Sequence, residues 1–443
     1  MKKKNIQVVE KLSATDFPPC VRPFWTNAKS PGDPMIALKF VIIALVCYAA
    51  LMPRLRVMYR YNHMLSIILL NLLVIGPSGK GKSIVNYIVT YILKVFYERD
   101  KKDRDKEYNF KRENKRKAAN QRRDEEPLWA YLMLQKFTLA VAVKLDDNIR
   151  RRYGDILPFF LFANELGSFI ENKRGNVEFQ AVARTAYNAG ELYTRDTLYE
   201  GGYNGSVDIV WNSIMCGQET ALDRYITKDG LLMGDASRHI IIKIGEAIGE
   251  EMPTLKPFTP EQQLAINDAV TLLMNETFTA DDKLAPVHEI DMSFLDKDVE
   301  NWCEQQREII GKSGSNAKDS FYGRASETAF RLATVLFHLW REDPSKRRNV
   351  RKCYYYLADY ILNGLMAKWG KKYEAALPRE VEVTLQRPTL YDCITKRFTR
   401  KQLADEILKQ GITSPCRKFI YLWKQKNWIY EVEGEPDTYE KIY

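Results

Sequence analysis

The chain has 443 residues, a net charge of +10 and 45% hydrophobic residues, which is enough for two or three domains with sizeable cores. Its seven cysteines form no C-x-x-C pair, and its four histidines are dispersed. This pattern argues against disulfide frameworks, zinc ribbons and a structural metal site, and it favours a reducing, cytoplasmic location. The basic balance is a weak indication of a polyanionic partner.

The first segment, residues 1–60, begins without the apolar core and cleavage site of a signal peptide. It is rich in proline and then continuously apolar over residues 40–52. A membrane-spanning helix needs roughly twenty residues, whereas apolar runs of about 10–14 are usually buried helices. We therefore expect a buried helix and no membrane association, with a membrane anchor as the alternative.

The second segment, residues 61–252, alternates between strand and helix patterns. The run LLNLLVIG is typical of a strand buried on both faces, and a helix pattern follows it over residues 84–97. Further apolar strands are predicted at 157–165, 207–217 and 238–245. The alternation predicts a three-layer α/β sheet. A densely charged insertion, residues 98–127, has almost no apolar face, so we expect a solvated helix or hairpin arm, with a DNA-binding arm as the alternative.

The remainder of the chain is mostly helical. Residues 253–378 contain four helix patterns, at 260–276, 292–310, 319–341 and 350–374. Residues 379–443 predict two helices that begin at Ser or Thr, followed by a β-hairpin around Gly434. Helix, helix and β-wing is the order of a winged helix, so we expect a winged-helix-like domain there.

The most specific motif follows the first buried strand. It matches G-x-x-x-x-G-K-[ST] and lies between that strand and a helix, as phosphate binding requires. The glycines let consecutive backbone N–H groups point at phosphate, and the helix adds the positive end of its dipole. We expect ATP binding, with Lys82 at the β- and γ-phosphates and the Ser83 hydroxyl on Mg²⁺. The expected nucleotide contacts are Gly76, Pro77, Ser78, Gly79, Lys80, Gly81, Lys82 and Ser83.

An acidic residue ends the next long apolar strand, in LPFFLFANELG. We expect Glu165 to polarise the attacking water, because the carboxyl end of a buried parallel strand faces the ligand crevice. Asn164 occupies a position where many NTPases carry an aspartate that steadies Mg²⁺, and a neutral amide does this more weakly. Slow hydrolysis is therefore an open alternative, and a helix cap or ion pair is the structural alternative for Glu165.

Two further residues are candidates for catalysis. Gln218 ends the strand IVWNSIMCG and is placed to sense the γ-phosphate, although it could equally be an ordinary loop residue. Arg238, which begins the last core strand, is the candidate arginine finger, a cation supplied from an adjacent subunit against the developing charge. Arg224 and Arg195 are rivals, and a surface salt bridge is the alternative for each.

Nucleic-acid contacts are expected in loops and in the C-terminal segment, because cations bind phosphate and aromatic rings stack on bases. Ordinary solvated loops and protein docking by the winged helix are the alternatives. The candidates are Lys173, Arg174, Arg224, Tyr225, Lys228, Arg417 and Lys418.

The order of these motifs resembles the helicase-like (primase-helicase-type) ATPases of prophages and bacterial mobile elements. The resemblance covers roughly residues 35–375 and rests on LLNLLVIGPSGKGKS, LFANELGSF, the strand ending in GQE, GLLMGDASRHIII and YGRASETAFRLATVLFHLW. It implies a RecA-like core, and it assigns the family's lysine and serine to Lys82 and Ser83 and its acidic strand end to Glu165. The family's acidic pair is Asn164-Glu165 here, and no primase-type acidic or zinc cluster is seen.

The resemblance implies ATP-driven work on single- or double-stranded DNA during replication or mobilisation of an element. We expect a homo-oligomeric ring with helicase or translocase activity, working with a replication or recombination protein. An ATP-dependent DNA-binding switch or loader that does not unwind DNA is the second hypothesis. A membrane-linked NTPase is the third.

Overall fold

A computed structural model describes residues 11–121, 128–134, 139–167, 182–187, 193–195, 205–245, 251–377, 390–412, 414–425 and 428–442. The chain divides into two compact units, Met1–Ala376 and Leu377–Tyr443. The three segments that the sequence distinguishes before residue 379 thus belong to one unit. The strands described in this unit are β1 (Ala28–Lys29), β2 (Leu55–Met58), β3 (Leu65–Ile67), β4 (Asn71–Ile75), β5 (Met133–Leu134), β6 (Phe159–Ala163), β7 (Tyr193–Arg195), β8 (Gly205–Val207), β9 (Trp211–Gly217), β10 (Ile240–Lys243), β11 (Thr254–Leu255) and β12 (His288–Ile290).

Helices account for most of the remaining described residues of the first unit. They are α1 (Arg22–Thr26), α2 (Ile36–Ala50), α3 (Ser83–Ile92), α4 (Lys94–Arg116), α5 (Leu139–Tyr153), α6 (Glu219–Tyr225), α7 (Lys228–Leu232), α8 (Pro260–Thr277), α9 (Asp296–Ser313), α10 (Asn316–Leu339), α11 (Arg347–Leu365) and α12 (Lys371–Ala376). A π-helical turn, Met366–Gly370, joins α11 to α12. The expected mixture of α and β structure is confirmed.

Five parallel strands form the central sheet, in the order β10-β4-β9-β6-β5. The residues of β4, β6 and β9 are buried along their whole length, as expected for strands covered on both faces. The strand order is compatible with a RecA-like core. Because all five strands are parallel, their carboxyl ends lie at one edge of the sheet.

Polar side chains fix the register between the two middle strands, β4 and β9. The Ser213 hydroxyl donates to Asn71 Oδ1 at 2.6 Å, and the Leu70 backbone N–H donates to Asn212 Oδ1 at 2.8 Å. These buried bonds satisfy polar groups that would otherwise be costly in the sheet interior. Asn212 and Ser213 therefore hold the sheet together in mid-strand, away from its carboxyl edge.

Helix α2 confirms the buried helix expected from the apolar run. Its residues from Leu38 to Ala50 are buried on every side, as is typical of a helix that is hydrophobic all round and lies inside a large unit. The buried Lys39 ammonium is satisfied by Asp33 Oδ2 and the Lys243 carbonyl, each at 2.6 Å. Among the described residues, no helix has both the length and the apolar character to cross a membrane.

Helix α4 corrects the interpretation of the charged insertion. The segment is helical to Arg116, but it is not solvated throughout, because Asp100 and Asp103 are buried. The Asp100 carboxylate accepts the backbone N–H groups of Leu132 and Met133 at 2.7–3.1 Å, and Arg152 reaches Asp103 at 2.7 Å. The charges on this face therefore attach α4 to the edge strand β5 and to α5.

The helices α8–α10 begin and end within four residues of the predicted positions. The fourth predicted helix, 350–374, corresponds to α11, the π-helical turn and α12 together. One strand in this region was not predicted. β12 pairs in parallel with β2, which also pairs antiparallel with β3 in a hairpin. The hairpin and its partner strand form a second, three-stranded sheet in the first unit.

The second unit contains three helices and a small sheet among its described residues. These elements are α13 (Leu390–Cys393), β13 (Arg397–Thr399), α14 (Arg400–Lys409), α15 (Cys416–Gln425), β14 (Ile429–Glu431) and β15 (Thr438–Lys441). The strands are antiparallel in the order β13-β15-β14. Leu403, Trp423 and Tyr439 pack in its core. The two helices and the hairpin expected from the sequence are present.

Candidate functional site

The glycine loop, residues 76–83, runs from the end of β4 to the start of α3. Gly79 and Gly81 have φ angles of 72° and 86°, a left-handed conformation that glycine adopts without steric cost. The Gly76 N–H donates to the Gly217 carbonyl at the end of β9, at 3.1 Å. The loop therefore begins against the neighbouring strand and turns sharply into the helix.

Close packing explains why the loop needs glycine at its start. A Cβ on Gly76 would lie 2.6 Å from the Ile244 carbonyl oxygen, just after β10. From the other side, a Cβ on Gly245 would lie 2.6 Å from Lys80 Cβ and 2.8 Å from the Lys80 carbonyl oxygen, and Gly245 itself has a φ of 69°. The end of β10 thus supports the glycine loop by backbone contact.

Lys82 lies in the bend of the loop, where its ammonium donates to the Gly76 carbonyl at 2.9 Å. Lys82 is also the residue that precedes the first turn of α3, and the Ser83 side chain that follows is exposed. An ammonium, an exposed hydroxyl and the N-terminus of a ten-residue helix therefore occur together where the loop enters α3. This combination is chemically suited to a phosphate chain and its Mg²⁺.

The acidic strand end lies near this loop. Asn164 and Glu165 follow β6 and are exposed, and the Leu166 N–H donates to the Cys216 carbonyl in β9 at 2.6 Å. Burial raises the pKa of the Cys216 thiol to about 12, while the charge of Lys82 lowers this pKa and that of Glu165 raises it. Both charged groups therefore act on one residue at the end of β9, the strand between β4 and β6. An amide, a carboxylate and the Ser83 hydroxyl at this edge fit a Mg²⁺ ion that keeps several waters.

A cavity of about 350 Å³ opens at the carboxyl ends of β4, β9 and β10. It combines the first residues of the glycine loop with Gln218, which follows β9. The lining residues are Ile75, Gly76, Pro77, Gln218, Glu219, Thr220 and Lys243.

Lys243 is a lining residue that the sequence interpretation missed. It ends β10, and its backbone carbonyl is held by the buried Lys39 ammonium at 2.6 Å. The available signal was its position, because the last residue of a parallel strand lies at the same edge as the glycine loop. Lys243 adds a cation to a site suited to an anion.

Helix α6 fixes the far wall of this cavity. Glu219 and Asp223 of α6 both pair with Lys368 of the π-helical turn, at 2.9 Å for Asp223. The Lys368 side chain is only 3% exposed. Single π-turns are frequently found at functional sites. The position of Gln218, one residue before α6, is therefore tied to the helical part of the unit.

Arg238 lies at the opposite edge of the sheet. It precedes β10, whereas Lys243 at the other end of this strand lines the cavity. At about 3.3 Å per residue, the two ends are about 16 Å apart. The Arg238 guanidinium donates to the Gly234 carbonyl at 3.0 Å. Arg238 therefore cannot act on the cavity of its own chain in this conformation, and only action on another subunit is compatible with the finger role.

The expected nucleic-acid contacts divide into three groups. Lys173 and Arg174 lie outside the described residues, as does the side chain of the rival finger Arg195. Arg224 and Lys228 are exposed. Tyr225, in contrast, is 1% exposed and packs edge-on against His239, so its expected role in base stacking is corrected: this ring belongs to the core.

In the second unit, α15 presents a basic and aromatic surface. Arg417 and Lys418 are exposed in its first turn, and Tyr421 follows with 62% of its surface exposed. Ile420 and Trp423 on the other side of the helix are buried. The exposed side of α15 thus offers two cations and a ring to a partner.

A larger cavity, about 770 Å³, lies between the β2–β3 hairpin and helices α9 and α10. The sequence interpretation did not identify it. Arg307 is exposed there, and no carboxylate of the described residues lies within ion-pair distance of it. The lining residues are Tyr59, Tyr61, Asn62, Met64, Ser66, Cys303, Arg307, Asp319, Ser320, Tyr322, Gly323, Arg324, Glu327 and Arg331.

No protein-family model matches the chain, and no curated protein shows a significant match.

Proposed function

We propose that the first unit is a RecA-like ATPase that binds Mg·ATP at the glycine loop. The carrying observation is that Lys82, Glu165 and Gln218 follow β4, β6 and β9, three adjacent parallel strands, at one sheet edge. Backbone N–H groups, an ammonium and a carboxylate then meet where the β- and γ-phosphates of a nucleotide would lie. The resemblance to mobile-element ATPases supports the same conclusion.

In this proposal each residue has a separate role. Lys82 and Lys243 neutralise phosphate charge, and Ser83 with Asn164 holds the ion that screens it. Glu165 accepts a proton from the attacking water, so that attack on the γ-phosphorus is easier. Gln218 orients this water or detects the γ-phosphate. Because α6 follows Gln218 directly, a change at the phosphate is transmitted to the helices through Lys368.

We further propose that the ATPase works on DNA, as a helicase or translocase. The described elements of the second unit include two helices followed by an antiparallel hairpin, which supports the expected winged helix, and Arg417 and Lys418 are exposed on the second of these helices. In the first unit, Arg307 and the rings of Tyr61 and Tyr322 line the larger cavity. Cations with neighbouring aromatic rings are the combination that binds single strands without regard to sequence.

The test is ATP hydrolysis by the full chain with and without single-stranded DNA. Lys82→Ala should reduce hydrolysis by at least about 100-fold, and Glu165→Gln should do so while ATP binding is retained. Lys115→Ala and Glu113→Gln, on the exposed surface of α4, are matched controls that should behave as wild type. Hydrolysis by Glu165→Gln at the wild-type rate would show that another residue is the base.

The role of Arg238 has its own test, based on mixing. Arg238→Ala and Lys82→Ala should each be inactive alone. An equimolar mixture contains interfaces with an intact Lys82 on one side and an intact Arg238 on the other, so it should recover part of the activity. A mixture as inactive as its components would exclude Arg238 as a finger acting between subunits.

The second hypothesis is an ATP-dependent switch or loader, and Asn164 is the observation that favours it. An amide steadies Mg²⁺ less well than a carboxylate, so hydrolysis would be slow. Steady-state ATP turnover, measured together with strand displacement, separates the two. A motor should turn over many ATP molecules on single-stranded DNA and displace a paired strand. A switch should bind ATP tightly, hydrolyse it slowly and displace no strand.

A further inference from the structure

Two of the four histidines come together in the first unit, and neither lines the two cavities described above. His288 begins β12, His338 lies in the last turn of α10, and Glu342 follows that helix by three residues. One nitrogen of each imidazole and one oxygen of Glu342 all lie within 4.8 Å of one another. His288 and His338 are 50 residues apart along the chain, so no local sequence pattern indicates this cluster.

The separations are those of hydrogen bonds and are slightly shorter than those between two ligands of one metal ion. His338 Nδ1 lies 3.0 Å and His288 Nε2 lies 2.5 Å from the same Glu342 oxygen, Oε1. Nitrogen and oxygen ligands bind Zn²⁺ at about 2.0–2.2 Å in a tetrahedron, so two ligand atoms should be about 3.4 Å apart. Small side-chain adjustments would bring the three atoms around one ion. Two histidines and a glutamate also form a known type of zinc ligand set with an open fourth position.

A second carboxylate, that of Glu276, contacts the other ring nitrogen of His338. Its Nε2 lies 2.8 Å from Glu276 Oε2, and Arg341 pairs with the other oxygen of Glu276 at 2.8 Å. With Arg341 on its other oxygen, Glu276 is placed to accept an N–H from Nε2 of His338. A metal-binding histidine typically donates its second N–H to such a carboxylate.

This arrangement leaves Nδ1 of His338 facing an oxygen of Glu342. A neutral imidazole has only one N–H, and Glu276 takes it, so Nδ1 directs a lone pair at a carboxylate. Either a second proton or a cation is needed between them. His338 is 6% exposed, and His288, from another element, reaches the same Glu342 oxygen, so three potential ligand atoms converge on one point.

The backbone holds Glu342 in this position at some cost. Arg341 and Glu342 have φ angles of 57° and 58°, and two consecutive non-glycine residues in the left-handed region are uncommon. Strained residues of this kind cluster at ligand sites, where the surrounding structure compensates for them. Arg341 uses the same turn to reach Glu276. The turn therefore positions Glu342 against His338 and places Arg341 where it holds Glu276, the other partner of His338.

We propose that His288, His338 and Glu342 bind one Zn²⁺ or a similar divalent transition metal, with Glu276 orienting His338. The ion links β12 to the end of α10, and through Glu276 to α8. The fourth ligand is water, because the His288 side is half exposed. This site lies outside the machinery proposed for ATP hydrolysis, and its main effect is to stabilise the first unit.

The test is zinc titration of the chelator-treated full chain by calorimetry, with thiols blocked because Cys393 is exposed. Wild type and His63→Ala, which removes an exposed histidine elsewhere, should bind about one equivalent with equal affinity. His288→Ala and Glu342→Gln should lose this binding. Glu276→Gln should weaken it about 10–100-fold. Co²⁺ should give the visible spectrum of a tetrahedral site in wild type but not in His288→Ala or Glu342→Gln.

Stability provides the second measurement, since a ligand that binds only the folded state raises the melting temperature. Zinc should stabilise wild type and His63→Ala but leave His288→Ala unchanged. Because the His288 side chain is half exposed, its replacement should leave the fold intact, and circular dichroism checks this. Equal zinc binding by wild type and His288→Ala, or no binding by wild type, would overturn the proposal and leave a hydrogen-bonded cluster only.

Discussion

The larger and the smaller cavity described in the first unit are built in different ways. The smaller one, about 350 Å³, is bounded by strand ends and backbone turns, including the glycine loop. The larger one, about 770 Å³, is bounded by side chains of a hairpin and two helices. Both volumes fall within the range of small-molecule sites. By volume alone, the larger cavity would be the better candidate for a ligand site. The chemistry of phosphate binding favours the smaller cavity instead.

The difference lies in what maintains each shape. At the smaller cavity, Gly76 and Gly245 allow backbone segments to touch. At the larger cavity, Glu327 is 7% exposed and pairs with Arg331 at 2.6 Å and with Arg324 at 2.8 Å. Changes at the glycines should therefore impair ligand binding first, whereas changes at Glu327 should impair folding first. Four predictions test this contrast.

The largest effect is expected at Glu327. Glu327→Gln should reduce the free energy of unfolding by about 3–5 kcal/mol, because it leaves the buried Arg331 guanidinium without its counter-charge. Glu300→Gln is the control, since Glu300 pairs with Arg60 at 3.1 Å with 42% of its side chain exposed. Such pairs contribute about 0–1 kcal/mol. Urea unfolding measures both, and equal losses in the two variants would show that the larger cavity does not depend on this ion pair.

This network also marks the limit of what could be predicted from the sequence. The glycine loop, its strand and its helix are local, so spacing and apolar pattern were sufficient to identify them. Arg331 donates to the carbonyls of Leu69 and Tyr187 at 2.8 and 3.3 Å, contacts between distant segments that no local pattern encodes. The burial of Tyr225 was missed for the same reason, because its neighbour His239 belongs to another element.

The strand ends fall between these extremes. Glu165, Gln218 and Lys243 each follow or end an apolar strand, so their shared sheet edge is predictable once the strands are parallel. The strand order determines which of them line one cavity, and side-by-side pairing is not visible in the sequence. Gln218 and Lys243 were brought together by β4, which lies between their strands.

Gly245 should show the second largest effect. A methyl group at this position meets Lys80 at 2.6 and 2.8 Å, so Gly245→Ala should displace the glycine loop. We expect ATP affinity to fall at least about tenfold, or about 1.4 kcal/mol. Gly154→Ala is the matched control, because Gly154 has a φ of 73° but no atom within 4 Å of the added carbon. In both variants an alanine must adopt the unfavourable left-handed backbone conformation. Only Gly245→Ala should lose ATP binding in calorimetry.

The third prediction concerns pH and the larger cavity. Burial raises the pKa of Glu327, but its pairs with Arg331 and Arg324 outweigh burial and lower the pKa below its ordinary value of 4.5. A carboxyl group with a lowered folded-state pKa contributes stability above its unfolded pKa and loses it as pH falls. The stability difference between wild type and Glu327→Gln should therefore be full at pH 6 and shrink below about pH 4.5. A constant difference down to pH 3.5 would contradict the charge-based explanation.

The smallest effect is expected at Arg307, and it addresses what the larger cavity binds. If DNA lies there, Arg307→Ala should weaken binding of single-stranded DNA several-fold and reduce the salt dependence of the affinity by about one phosphate contact. Arg112→Ala, on the exposed surface of α4, removes the same net charge and is the control. ATP affinity should be unchanged in both, because Arg307 does not line the smaller cavity. Equal DNA affinities in the two variants would mean that the larger cavity does not contact the DNA strand. The exposed cations of α15 would then be the next residues to change.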